Sequence, residues 1–121
     1  MSLQHKIDKA SSEILSYATF QVGWDLYQGK PFDKSTLNKA SEILELIFST
    51  FDNYETCPDE IYPGPASDGS VDIEIEYDGN RLIFTIYPDH VSYYLQDLKE
   101  TGDIIDEDDM FSKLKWLINN E

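Results

Sequence analysis

The densest run of chemistry-bearing side chains is acidic: Asp103, then Asp106 to Asp109. Calcium would be the natural guest, but an EF-hand loop needs alternating oxygen ligands, a central glycine and a glutamate at its twelfth position. Here the acids are consecutive, no such glycine is present, and a helical pattern begins directly after Asp106. Carboxylates are favoured at a helix N-terminus by its unpaired N–H groups, which accounts for the cluster without a metal. Nucleophilic catalysis has as little to work with. Cys57 precedes a proline, His90 sits in a turn, and no spacing pairs them. No zinc ligand set, glycine-rich phosphate loop or dinucleotide fingerprint occurs, so the expectation is no cofactor, no metal and no catalytic residue.

A second set of acids, Asp72, Glu74 and Glu76, alternates with Val71, Ile73, Ile75 and Tyr77. With Pro58-Asp59 upstream, it could be set beside a restriction-endonuclease site, which follows one acid with an acid-x-Lys strand. This strand offers Glu74-x-Glu76 and no lysine to help activate water. A period of two dividing apolar from acidic residues is the pattern of a strand with one buried and one solvated face.

That strand opens the stretch on which the chain is organised, 71–95. It reads as three strands, VDIEIEY, RLIFTIY and VSYYL. Asp78-Gly79 is a two-residue hairpin signal, because a type I′ turn needs positive φ at both positions. Closing there pairs Ile75 with Leu82, Ile73 with Phe84, Val71 with Ile86, and Glu76 with Arg81 on the other face. A three-residue loop would split the apolar set. Centring the second turn on Asp89-His90 places Val91, Tyr93 and Leu95 on the face of Phe84 and Ile86. Ile83 and Tyr87 fall on the acidic face and give it a small apolar patch.

The flanking elements are helical. Leu3, Ile7, Ala10, Ile14 and Ala18, widened by Leu15, predict a helix from Leu3 to about Phe20. Residues 21–32 contain Gly23, Gly29 and Pro31 and read as an ordered loop whose Trp24 and Tyr27 pack as a core plug. Asp33 is expected to cap a second helix, stapled by Phe32 and Leu37, with a stripe from Leu37 to Phe51. Residues 53–70, rich in Pro and Gly, read as a long connection in which Ile61 and Tyr62 form a short edge strand ended by Pro63. Lys99 to Asp103 reads as a turn around Gly102. A last helix from Glu107 to about Asn119 buries Met110, Leu114, Leu117 and Ile118. The predicted fold is therefore α+β: two N-terminal helices and a C-terminal helix on one face of a three- to four-stranded antiparallel meander.

A chain of 121 residues makes one domain and buries roughly two-thirds of its unfolded surface, so residues 1–121 are read as a single domain. No apolar run approaches the roughly 20 residues of a membrane span. Neither a signal peptide nor a cysteine pair is evident, so the expected compartment is the cytoplasm. The net charge is −15, and it is uneven: residues 1–54 carry five lysines and seven acids, while 55–121 carry four basic residues and seventeen acids. Such a field repels nucleic acid and anionic membranes and favours a basic partner. Lys6 with Lys9, and Lys30 with Lys34, are the only basic clusters, so no direct phosphate contact is expected.

Gly23-Trp24-Asp25-x-Tyr27-x-Gly29-Lys30-Pro31, followed by a capped helix, resembles the "GWDGYGAKP" segment of small bacterial proteins of unknown function. In that group a Pro-rich loop and a "PDGGIxLEW" strand follow. The counterparts here are Pro63 to Pro65, then Asp68 to Ile75. Leu26, Gln28, Ile75 and His90 depart from the pattern. The group has no established activity, so the resemblance implies the helix–helix–meander order and marks Trp24, Asp25, Tyr27 and Glu74 for attention. With Ile83 and Tyr87 these form the candidate binding surface. The leading expectation is a non-enzymatic module binding a basic protein, in an immunity-, antitoxin- or mimic-like role. The alternatives are a ligand binder or enzyme with a pocket between the 21–32 and 53–70 loops, and a homodimer or larger assembly through the Ile83–Tyr87 face or a sheet edge.

Overall fold

The computed structural model describes residues 2–21, 23–24, 29 and 31–119. Helix α1 (Leu3–Ser16) runs into a 3-10 turn (Tyr17–Thr19), and helix α2 spans Lys34–Asn53. Strands β1 (Glu60–Pro65), β2 (Val71–Tyr77), β3 (Asn80–Ile86), β4 (Val91–Leu95) and β5 (Glu100–Asp103) follow, and helix α3 (Glu107–Asn119) ends the chain. The strands form one antiparallel sheet in sequence order. Helix α1 lies on α2 and β1, α2 on β2 and β3, and α3 on α2 and β3. All three helices cover one face of the sheet, as α+β reasoning predicts, but the sheet has five strands rather than three or four.

The β2–β3 hairpin closes as its pattern dictates. Val71 pairs with Ile86, Ile73 with Phe84, Ile75 with Leu82 and Glu76 with Arg81. Asp78 and Gly79 both take positive φ, 50° and 83°, the requirement of a type I′ turn. Facing the helices, Val71, Ile73, Ile75, Leu82, Phe84 and Ile86 lose all contact with solvent.

The β3–β4 turn differs from expectation by one residue. Ile86 faces Val91 and Phe84 faces Tyr93, and the Tyr87 N–H donates to the His90 carbonyl at 2.8 Å. The centre is thus Pro88-Asp89, not Asp89-His90. Proline's fixed φ and missing donor suit a turn's first central position better than a paired position. The slip changes each partner by two residues, so Val91, Tyr93 and Leu95 still face the core.

The edge strand expected at Ile61 and Tyr62 is present but longer, and a further strand sits where a turn was expected. β1 runs through Pro63 to Pro65 instead of ending there; an edge strand tolerates proline because one of its sides has no ladder to serve. β5 occupies the stretch read as a turn, although Glu-Thr-Gly-Asp has little intrinsic strand preference. Tertiary contacts specify it. The Tyr93 hydroxyl donates to Glu100 Oε2 at 2.8 Å, and Thr101 Oγ1 donates to the Tyr93 carbonyl at 3.0 Å. A Cβ at Gly102 would stand 3.2 Å from the Tyr93 ring, so the residue opposite that ring must be small. Lys113 from α3 sits 4.6 Å above the same ring and reaches Glu100 and Asp109 at 3.8 and 3.5 Å, tying strand to helix.

The helix ends also depart in detail. α1 stops at Ser16, and its 3-10 turn brings Tyr17 into the core in place of Ala18, leaving Leu15 61% exposed. Asp33 stands at the N-cap of α2, yet its side chain makes no capping bond. Asp106 does cap α3: the Asp109 N–H donates to its Oδ1 at 2.8 Å, while Asp109 Oδ2 accepts from the Ile105 N–H at 3.0 Å. Of the expected α3 stripe, Met110, Leu114 and Leu117 are buried and Ile118 only partly so.

Two predictions arise from this packing. Thr36 is buried in the first turn of α2, and its hydroxyl has no hydrogen-bond partner among the described residues. Thr36→Val removes that hydroxyl at constant shape and is expected to raise stability by about 1 kcal/mol; denaturant unfolding of the two proteins checks it, and a loss of stability would contradict it. At Tyr17, burial first and the Glu13 carboxylate second push the phenol pKa up to about 12. The folded state therefore favours the protonated phenol. That contribution is intact below the unfolded value of about 10 and is lost as pH rises toward the folded one. Stability measured across this alkaline window should fall less steeply in Tyr17→Phe than in the wild type, and parallel curves would refute the assignment.

Candidate functional site: the open face of the sheet

The helices leave the other sheet face uncovered, and register decides what it presents. Tyr62 pairs with Glu74, Glu74 with Ile83, Ile83 with Tyr94, and Tyr94 with Thr101. One row of side chains thus crosses all five strands at mid-height. Tyr62 is 47% and Tyr94 39% exposed, and Ile83 is half-buried between them. Neighbouring side chains in such a row lie about 4.5–5.5 Å apart, so in this strip Ile83 and Tyr94 adjoin, and Glu74 stands between them and Tyr62.

Acids border the strip. On one side lie Glu60, Glu76 and Arg81; on the other, Asp72 beside Thr85, then Ser92 and Asp103. Arg81 is the one cation that the described strand residues place on this face, and it is already held. Its Nη2 bonds Glu76 Oε1, and its Nε stands 3.7 Å from Glu74 Oε2. The Glu76 hydrogen bond foremost, with Glu74 behind it, raises the guanidinium pKa further. Partial desolvation, then the charges of Glu60, Glu76 and Glu74, raise the Tyr62 phenol pKa. The strip thus sets tyrosine hydroxyls amid carboxylates.

Of the residues singled out by sequence, Glu74 and Ile83 meet here as a cross-strand pair. Tyr87 lies beyond the end of β3, its ring stacked on His90 at 4.4 Å and 7°. Trp24 does not join this strip in its described ring contacts: it packs on Phe20 and Phe32 at 5.0 and 5.7 Å, in a cluster shared with Tyr17. These contacts place its ring at the α1–α2 connection. Asp25 and Tyr27 lie outside the described residues, as does Lys30. Sequence reasoning passed over Tyr62 and Tyr94. Tyr94 was available from the alternation of VSYYL once Tyr93 faced inward, whereas Tyr62 needed the β1–β2 register.

Within the stretch 53–70, Glu60–Pro65 form strand β1; residues 22, 25–28 and 30 of the facing 21–32 loop lie outside the described residues, and with them the pocket expected between the two. Cys57 Sγ donates to the Pro58 carbonyl and His90 Nδ1 bonds Asp89, with no contact to each other. Among the described residues no group of three His, Cys, Asp or Glu side chains is arranged to hold a metal ion, and no helix is long and apolar enough to cross a membrane. No family model, curated protein or solved structure matches this chain.

Proposed function

We propose that this protein is a non-enzymatic interaction module that binds a basic protein on the open face of its sheet, in an immunity-, antitoxin- or nucleic-acid-mimic-like role. The observation that carries the reading is the Tyr62–Glu74–Ile83–Tyr94 strip within a border of acids. Tyrosine supplies a large contact area with a polar tip, which is why it dominates interface hot spots. The carboxylates steer a basic partner and repel other surfaces. A second copy of the chain is a poorer fit, since it brings its own −15 to an acidic face.

The same field argues against binding nucleic acid through phosphates. Lys6, half of one basic cluster, already donates to the Pro58 and Asp59 carbonyls at 2.6 and 2.7 Å. Membrane surfaces, being anionic, are disfavoured for the same reason, and a cytoplasmic setting suits a chain with the single free thiol Cys57.

The test is capture of a basic protein by the immobilised chain at low and at high salt, followed by titration with the purified partner. An electrostatically steered complex weakens as the Debye length falls from about 10 Å at 0.1 M toward 3 Å at 1 M salt. Salt-insensitive binding, or a partner without basic character, would defeat the proposal.

A further inference from the structure

The opposite side of the molecule carries a second, differently built surface. A cavity of about 620 Å³ opens between α2, the β3–β4 turn and the segment leading into α3. Its floor is apolar: Ile43, Leu46, Val91, Ile104 and Met110. Beside it stands Ile105, 87% exposed. Ile105 is not a loose end. Its N–H donates to Asp109 Oδ2, and the preceding Ile104 N–H donates to the Val91 carbonyl at 2.8 Å. The backbone on both sides of the step is thus fixed while an aliphatic side chain is held in water beside an apolar cavity. Ile105 and the apolar lining beside it together make one exposed apolar patch rimmed by polar residues, the kind of surface that marks an interaction site.

The rim says what that something is. Glu42, Glu45, Asp89, Asp106 and Glu107 surround the opening, against Lys39 and the imidazole of His90. A second copy of this chain would bring its own −15 to those carboxylates. The cavity admits a few side chains rather than a whole element, and it lies beside two helices. We infer that this groove docks a basic amphipathic helix of a partner protein. Its apolar face would cover Ile105 and send side chains between Leu46 and Met110, and its flanking Lys or Arg residues would meet Glu42, Glu45 and Glu107. This is the helix-in-groove mode, read by apolar anchors at helical spacing. It is independent of the open sheet face, so either assignment can fail while the other stands.

The probe is a fluorescein-labelled Leu/Lys peptide whose leucines share one helical face, titrated by anisotropy. The control peptide has the same composition scrambled so that the leucines are dispersed. The expected result is binding at least tenfold tighter for the amphipathic peptide. Ile105→Gln should weaken it about tenfold, as should Glu42→Lys combined with Glu45→Lys, while Tyr62→Ala with Tyr94→Ala on the sheet leaves it unchanged. All of these positions are at least partly exposed, and circular dichroism of each variant confirms that it folds. Equal binding of the two peptides, or no response to Ile105→Gln, would reduce the effect to general charge attraction and overturn the assignment. Loss of binding in the sheet variant would also overturn it, as would a wild-type dimer that Ile105→Gln converts to monomer.

Discussion

Phe84→Ala is expected to destabilise the protein by about 3–5 kcal/mol, the range for truncating a fully buried aromatic ring. Phe84 lies on the central strand β3, between Ile73 on β2 and Tyr93 on β4, with no exposed surface. It belongs to the same core as Ile47 and Phe51 of α2 and Leu114 of α3. Neighbours anchored on a sheet and on helices cannot collapse freely into the space left, so the cavity term adds to the lost transfer energy. Small domains hold about 5–15 kcal/mol in total, so this one change removes a large share, and the midpoint of denaturant unfolding should fall accordingly. A loss below about 1 kcal/mol would mean that the ring does not face the core and that the sheet has been assigned the wrong buried side.

The second large effect is on binding. Tyr62→Ala combined with Tyr94→Ala should leave the fold intact, because both rings stand on the uncovered face. It also leaves every charge in place. Interface tyrosines contribute roughly 1–2 kcal/mol each, so affinity for the basic partner should drop on the order of a hundredfold. Glu60→Gln, in the row of acids that borders the strip, should mainly slow association, since charges near an interface edge act through steering. If the double variant binds as tightly as the wild type and only charge substitutions matter, the strip is not the contact and attraction is diffuse.

The central hairpin was legible in the sequence to the residue pair because two independent constraints agreed. Asp78-Gly79 supplies the positive φ values, and only one register gathers Val71, Ile73, Ile75, Leu82, Phe84 and Ile86 on one side. Where one constraint was weak, the reading drifted. The β3–β4 turn lacked a glycine, and its centre was placed one residue late, though parity kept the buried face correct. β5 was illegible because its strand character comes from Tyr93, Lys113 and the small Gly102, none of which shows as alternation in Glu-Thr-Gly-Asp. Ala18 was expected inside on a 3.6-residue period that the chain abandons for a 3-10 turn. The candidate surface was half visible for the same reason. Glu74 and Ile83 follow from the hairpin, but Tyr62 joins them only through a strand that runs across two prolines.

The most direct test of the open face is an amide chemical-shift map of the isotopically labelled protein titrated with its captured basic partner at low salt. The account predicts shifts concentrated at Tyr62, Glu74, Ile83, Tyr94 and Thr101, fading as salt is raised. Shifts confined to the helical side, around Leu15 or Phe111, with the sheet row unmoved would contradict it.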